Sequence, residues 1–314
     1  NVYSTIESLR LEKKFPIVLA GDHSTAAGTI MGIKGAHPDK RLGVIWIDAH
    51  ADLHTPWSSP SGNIHGMPLA AALGHDNKAQ QINTVAEATL SSWEQLKQLG
   101  SVSPMLLPEH LIYFGVRDTE AEENAIMDAH GIRNYPVHEI RHRGLHCCVQ
   151  EAFEQLQMVD LIYITFDVDS LDCDLISRGT GTPVSKGFDP QEVIQIIQGF
   201  LASEKVVALE VCEVNPLLDQ KGNKMAETAF FVESDDHIHL RWFTPEIEMD
   251  LCGHATLATA HCLYAHLGYS KKIIYFKTVS GQLKVRCEEG LYKMEFPTRE
   301  GIPAVLPASI LNAL

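Results

Sequence analysis

The sequence predicts an α/β protein, a doubly wound parallel sheet followed by a smaller α+β lobe. Three observations predict it. Short apolar runs without alternation recur up to about residue 229, as strands buried on both faces of a parallel sheet do. Helical stretches lie between these runs, so that strands alternate with helices. Beyond that point the texture changes to an alternating strand, one helix and short strands joined by tight turns.

The first apolar run, residues 15–20, stops at Gly21-Asp22-His23-Ser24. The second, Val44-Ile45-Trp46-Ile47, ends at Asp48-Ala49-His50-Ala51-Asp52. The third covers 111–116 and ends at Arg117-Asp118, and the fourth covers 161–166 and ends at Asp167-Val168-Asp169. The fifth begins Val206-Val207-Ala208-Leu209 and runs on into Glu210-Val211-Cys212-Glu213-Val214-Asn215-Pro216. Among the helices, 91–99 closes at Gly100, a C-terminal stop. Residues 148–159 place Val149, Ala152, Phe153 and Leu156 on one face, and Asp189-Pro190 opens a helix with an N-cap and a first-turn proline. Later, 238–243 alternates as a strand and 255–267 is a small-residue-rich helix ending at Gly268. Strands at 272–278, 282–287 and 291–296 are separated by Ser280-Gly281 and Glu289-Gly290 turns. This reads as an antiparallel meander beside one helix, not another βαβ unit.

A chain of 314 residues can bury one large core or two smaller ones, and 45% apolar with 21% charged residues is ordinary for a globular protein. Forty acids against 25 Lys plus Arg leave a formal charge of -15. That balance argues against nucleic-acid binding, which needs clustered cations, and is compatible with a cationic substrate, which an acidic surface attracts. Seven cysteines without zinc-type spacing point to a reduced, cytoplasmic interior. No charged and apolar leader and no apolar run near ~18 residues is seen, so neither secretion nor membrane spanning is expected. The start at Asn1 reads as a processed chain or a fragment.

In an extended backbone Asp48, His50 and Asp52 share one face and converge beyond a buried strand. Two carboxylates and an imidazole suit manganese, iron, cobalt or zinc. Asp167 and Asp169 repeat the device, and His23 adds a second imidazole. Six such ligands are too many for one ion that must keep an open position. They suit two ions bridged by shared carboxylates, which can hold a hydroxide with its pKa lowered towards ~7. Each cluster sits at a strand's carboxyl end, where α/β sheets bind ligands.

These three words, Gly21-Asp22-His23-Ser24, Asp48-Ala49-His50-Ala51-Asp52 and Asp167-Val168-Asp169, resemble the metal motifs of the ureohydrolases, the arginase and agmatinase superfamily. Ser61-Gly62-Asn63-Ile64-His65-Gly66, Gly181-Thr182-Pro183 and Glu213-Val214-Asn215-Pro216 resemble arginases in particular. The likeness covers about residues 1–229. It implies that His23, Asp48, Asp52 and Asp167 hold one Mn(II). His50, Asp48, Asp167 and Asp169 would hold a second, with Asp48 and Asp167 bridging. The implied reaction is attack of the metal-bridging hydroxide on the guanidinium carbon of L-arginine, giving ornithine and urea. Glu213 would accept the planar guanidinium, and His65 would carry a proton to the leaving amine, as imidazoles do near neutral pH. Asp52 counts as both ligand and catalytic residue, and Thr182 would line the guanidinium site. His54, Ser59, Ser61, Asn63, Glu120 and Glu123 would hold the amino-acid end. His54 stands where asparagine is common and Glu120 where aspartate is common, which leaves agmatine or another guanidino compound as the alternative substrate. Glu213 as a strand-end salt bridge, His65 as a helix-start histidine and Thr182 as a turn residue are the purely structural readings. A deacetylase on a related fold is a weaker alternative, since those sites commonly hold one zinc. The resemblance also implies a homo-oligomer.

Two departures accompany it. The family's opening strand and helix are largely missing before His23, and its closing helix, due after residues 224–229, is replaced. The fold is thus expected to be arginase-like but truncated N-terminally, with an uncovered sheet edge.

Glu227-Thr228-Ala229-Phe230-Phe231, Arg241-Trp242-Phe243-Thr244-Pro245, Asp250-Leu251-Cys252-Gly253-His254-Ala255-Thr256 and Met294-Glu295-Phe296-Pro297 resemble a second family. These are the phenazine-biosynthesis-protein-like isomerases, relatives of the diaminopimelate epimerases. The likeness spans part of the first of that family's two lobes, and implies Glu227 as a proton-transfer residue with Gly253 and His254 beside it; His254 capping a packed helix is the structural reading. The expected plan is an incomplete arginase-like domain over 1–229 and a partial α+β epimerase-like lobe over 230–314. A proton-transfer isomerase and a catalytically inactive fusion are the alternative functions.

Overall fold

The computed structural model describes residues 2–99, 102–215, 218, 228–234, 236–244, 247–288 and 290–295. The chain divides into two compact units, Asn1–Lys224 and Met225–Leu314.

The first unit is built on six strands: β1 (Ile17–Leu19), β2 (Leu42–Ile47), β3 (Leu111–Phe114), β4 (Arg133–Tyr135), β5 (Leu161–Asp167) and β6 (Val206–Cys212). Their order is β1-β6-β5-β2-β3-β4, and every pair is parallel. Among the described residues of this unit the α-helices are α1 (Val2–Leu11), α2 (Thr25–Ala36), α3 (Pro68–Leu73), α4 (Glu87–Gln98), α5 (Ala121–His130), α6 (Val137–Arg143), α7 (Leu145–Gln155) and α8 (Pro190–Leu201). The second unit holds β7 (Thr228–Glu233), β8 (Ile238–Phe243), β9 (Glu248–Met249), α9 (Gly253–Ala265), β10 (Ile273–Thr278), β11 (Gly281–Glu288) and β12 (Leu291–Glu295).

Successive β2 residues face opposite layers. Val44 and Trp46 enter a core shared with α1, α2 and α3, while Ile45 and Ile47 enter one shared with α6, α7 and α8. All six residues of β2 are buried, which is why its sequence shows no alternation. The helix at α2 escapes an amphipathic reading for the same reason. Most of Thr25–Ala36 is buried, and its small residues admit α1 at close range: a Cβ added at Gly32 would lie 2.6 Å from Ile6 Cβ. α8 starts as its sequence predicts. Asp189 accepts from the Gln191 backbone N–H, Glu192 completes a capping box, and Pro190 fills the first turn.

Three features depart from the sequence reading. β4 is an added strand, three residues that pair with β3 alone. α1 is a helix that the sequence reading did not name; the β1 that follows it lies at the sheet edge with Ile17 64% and Leu19 55% exposed, in keeping with the expected uncovered edge. The second unit is a mixed sheet, β12-β11-β10-β8-β7: β10, β11 and β12 form the expected antiparallel meander, but β8, α9 and β10 make a further βαβ unit, which the sequence reading had excluded. β8 and β10 are parallel neighbours, and a parallel neighbour requires a crossover of a dozen or more residues, which the α9 segment provides. Ile238, Leu240, Trp242, Ile274, Phe276, Leu283 and Val285 form its core with Ala255, Ala260 and Leu263 of α9. No helix among the described residues is long and apolar enough to cross a membrane.

Candidate active site

Because β1, β2, β5 and β6 all run the same way, their carboxyl ends meet along one edge. His23 follows β1, Asp48 to Asp52 follow β2, Asp167 closes β5, and Glu213 follows β6. The cleft there has a volume of about 390 Å³ and is lined by His23, His50, Asp52, His54, Ser59, Ser61, Asn63, His65, Glu120, Glu123, Asp167, Asp169, Thr182 and Glu213, among others.

The acids and imidazoles converge, though not through extended backbone. β2 ends at Ile47, and residues 48–50 bend. Asp48 Oδ1 accepts the His50 backbone N–H at 2.8 Å, and Asp167 Oδ1 accepts that of Asp169 at 2.8 Å. In each word the first acid closes a small turn that swings the next ligand inwards. Asp52 (φ 51°) and Glu213 (φ 63°) are held in left-handed backbone, which is uncommon for non-glycine residues.

Two groupings result. Around His23 Nδ1 stand Asp48 Oδ2 at 2.9 Å, Asp52 Oδ2 at 3.1 Å and Asp167 Oδ2 at 3.2 Å. Around His50 Nδ1 stand Asp169 Oδ2 at 3.0 Å and Asp48 Oδ1 at 3.6 Å. Asp48 thus turns one oxygen to each grouping. Asp167 Oδ2 faces the His23 grouping, while its other oxygen serves the turn. Among the described residues, buried His23 Nδ1 has no well-directed hydrogen-bond partner despite three carboxylate oxygens close by. That arrangement is poor for a shared proton and right for atoms ligating a common cation. Imidazole with carboxylates suits a first-row divalent ion, and Asp48 can bridge two of them. The residues present therefore fit a two-ion centre.

Electrostatics agree. Burial first, then Asp48, pushes the Asp52 carboxyl up to about 6. Burial followed by Asp48 and Asp169 raises Asp167 well above its ordinary range, and burial followed by Asp48 raises Asp169. Burial opposes charge on His50, yet Asp169 and Asp48 overcome it and push the imidazole up to about 12. Mutual repulsion of this kind is what bound cations would relieve.

A supporting layer surrounds these groups. Trp46 Nε1–H donates to Asp48 Oδ2 at 2.8 Å, and its ring stacks on His23 with centroids 4.0 Å apart. His23 Nε2 lies 2.8 Å from Thr165 Oγ1, and Cys212 Sγ–H donates to Asp167 Oδ2 at 3.6 Å. Sequence reasoning missed Trp46, Thr165 and Cys212. Each sits on the strand that carries a motif, one or two residues before it, which is the only signal that could have found them.

The remaining predicted residues ring the cleft. Glu213 Oε1 accepts the His23 backbone N–H at 2.9 Å and lies 4.0 Å from His65 Nδ1. Thr182 Oγ1–H donates to Asp169 Oδ2 at 3.0 Å. His54 Nε2 is 3.1 Å from Glu120 Oε2 and 3.7 Å from Glu123 Oε2. Burial, then the neighbouring Glu120 side chain, pushes Glu123 up to about 9. Ser59 and Ser61 accept the Gly62 and Asn63 backbone N–H groups, shaping the loop that lines one wall. In the second unit Gly253 and His254 begin α9, with Cys252 Sγ 3.8 Å from His254 Nδ1. Glu227 lies outside the described residues.

Comparison with known proteins gives two family matches. Residues 1–233 match the arginase family, and residues 222–311 match the phenazine biosynthesis-like proteins. The arginase of Bacillus caldovelox is 38% identical over 217 residues, covering 69% of this chain and 66% of the relative. That of Bacillus subtilis is 38% identical over 218 residues, covering 69% and 67%. The chain thus spans about two thirds of the length of these relatives. Among solved structures, Helicobacter pylori arginase aligns with a TM-score of 0.64 at 32% identity over 72% of this chain and 73% of that one. Bacillus subtilis arginase aligns with a TM-score of 0.60 at 34% identity, covering 71% and 72%.

Proposed function

The chain belongs to the arginase family, and from that premise we propose that its first unit hydrolyses the guanidinium group of L-arginine to ornithine and urea, using two Mn(II) ions per chain. The observation that carries the reading is His23 Nδ1, buried and without a well-directed hydrogen bond among Asp48, Asp52 and Asp167. His23, Asp48, Asp52 and Asp167 would hold one ion, and His50, Asp48, Asp167 and Asp169 the other. When bound, such ions lower the pKa of water and so supply hydroxide at neutral pH.

The chain's own residues supply the rest. Glu213 is fixed by the His23 backbone N–H, which leaves its other oxygen to orient a guanidinium; burial raises its carboxyl, and a cationic substrate would restore the charged form. His65 stands across from it at the cleft wall, where an imidazole can pass a proton to the departing amine. Thr182 fixes Asp169. Glu120 supplies the negative charge for an α-ammonium, with His54 and Glu123 hydrogen-bonding beside it, and Ser59, Ser61 and Asn63 line the same cleft for the carboxylate.

The test is urea release from protein reloaded with Mn(II), with arginine and agmatine compared as substrates. A higher kcat/KM for arginine is expected. Preference for agmatine would shift the assignment to an agmatinase-like ureohydrolase, and no urea from either would overturn it. The reading extends to a homo-oligomer, which sedimentation velocity checks.

A further inference from the structure

The sixteen histidines exceed what the first unit's site and packing use, and two of them meet in the second unit. β8 lies between β7 and β10, so its backbone is fixed on both sides. Ile238, Leu240 and Trp242 point into the core, and His239 points the other way, paired across the sheet with Val232 and Lys277. His237 precedes the strand by one residue. The Ser234 backbone N–H donates to its carbonyl at 2.9 Å and closes the hairpin turn from β7. Residues two apart on a strand share a face, and the two imidazoles meet edge to face, with centroids 4.5 Å apart and planes inclined at 65°.

His237 Nε2 and His239 Nε2 are 3.0 Å apart. His237 Nδ1–H donates to Asp236 Oδ1, because a carboxylate can only accept. The proton on Nδ1 leaves the Nε2 lone pair of a neutral His237 directed at His239. A carboxylate behind an imidazole is the arrangement that orients metal-ligating histidines and raises their basicity. With metal–nitrogen bonds of about 2.0–2.1 Å, two nitrogens sit about 2.9 Å apart at a right angle and about 3.3 Å apart at the tetrahedral angle. The observed spacing lies between these values.

We propose that His237 and His239 form a surface site for a divalent zinc, nickel or copper ion, oriented by Asp236 and completed by water. Imidazole nitrogens select these ions over manganese, and two neutral donors leave coordination positions open to a further ligand. The site is independent of the carboxylate-rich centre of the first unit in both residues and metal class.

The experiment uses the full chain loaded with Mn(II) and dialysed against Ni(II) or Cu(II). The parent is expected to retain one more ion per chain than His237→Gln or His239→Gln. Its Cu(II) spectrum should show hyperfine coupling to two nitrogens, lost in either variant. Asp236→Asn should weaken binding about 10–100-fold without removing it. His239 is exposed and His237 partly so, and unchanged melting of the metal-free variants verifies folding. An ion count equal in parent and variants overturns the proposal and leaves two hydrogen-bonded rings only.

Discussion

The two units handle a sheet in opposite ways. In the first, all six strands run parallel and helices cover both faces, so polar side chains are driven to the strand ends. Since the ends coincide, His23, Asp52, Asp167 and Glu213 gather from four strands into one cleft, with Asp48 buried beneath it. In the second, the strands are mixed and, among the described residues, one helix covers one face; β8 alternates buried and exposed residues along its length. Its polar groups stand in a row along the open face, as His237, His239 and Arg241 do. A parallel sheet concentrates chemistry at an edge, whereas a half-covered sheet spreads it over a surface. The first can desolvate four acids together, and the second keeps its ligands wet.

The contrast is broken most directly at the shared acid. Asp167→Ala should empty the two-ion centre and cut urea release about a thousandfold, equivalent to several kcal/mol. Metal analysis beside a urea assay checks this, and the second unit should keep its unfolding transition. A variant that lost both would show the units to be one cooperative body. The converse change is Leu240→Ala, fully buried under α9. It should destabilise the second unit by about 2–5 kcal/mol in denaturant titration while metal content stays constant.

Thr165→Val sharpens the comparison within the first unit. It removes the oxygen that fixes the His23 ring through Nε2, and metal affinity should fall about 10–100-fold, with Thr165→Ser restoring most of it. Equal affinity in the valine variant would make the layer behind the ligands purely structural.

The smallest effect is one of pH. Burial works against the Asp76 charge, but Lys97, Trp93 and Lys78 outweigh it and hold the carboxyl down to about 2, from 3.8. An acid depressed in the folded state adds stability above its unfolded value, and that stability is lost as pH falls through its folded value. Asp76→Asn should therefore destabilise by under about 1 kcal/mol at neutral pH, given its partial exposure, and by nothing below about pH 2. Chemical denaturation at pH 7 and pH 2 separates the two cases.

Much of this organisation was legible because burial on two faces writes itself as unbroken apolar runs. β2, β3, β5 and β6 are such runs, and the ligand words follow β1, β2 and β5 directly. Asp189-Pro190 announced α8 because capping is local chemistry. What escaped depends on partners distant in sequence. β4 is Arg-Asn-Tyr and becomes a strand only beside β3. Thr25–Ala36 shows no stripe because α1 and the sheet bury most of its sides. Trp46, Thr165 and Cys212 look like ordinary strand residues until His23 and Asp167 arrive from elsewhere. The parallel pairing of β8 with β10 was hidden because alternation reports a half-buried strand, not the direction of its neighbour.

Asp52 and Glu213 carry a consequence for anyone selecting variants of this protein. Both acids occupy backbone that glycine adopts at no steric cost, and each position stores roughly 1–3 kcal/mol. Glycine there should relax the chain even as it deletes a ligand or the guanidinium acceptor. A library sorted on soluble yield alone would then enrich inactive molecules at these two codons. Sorting for yield and activity together would hold the acids in place and push improvement elsewhere.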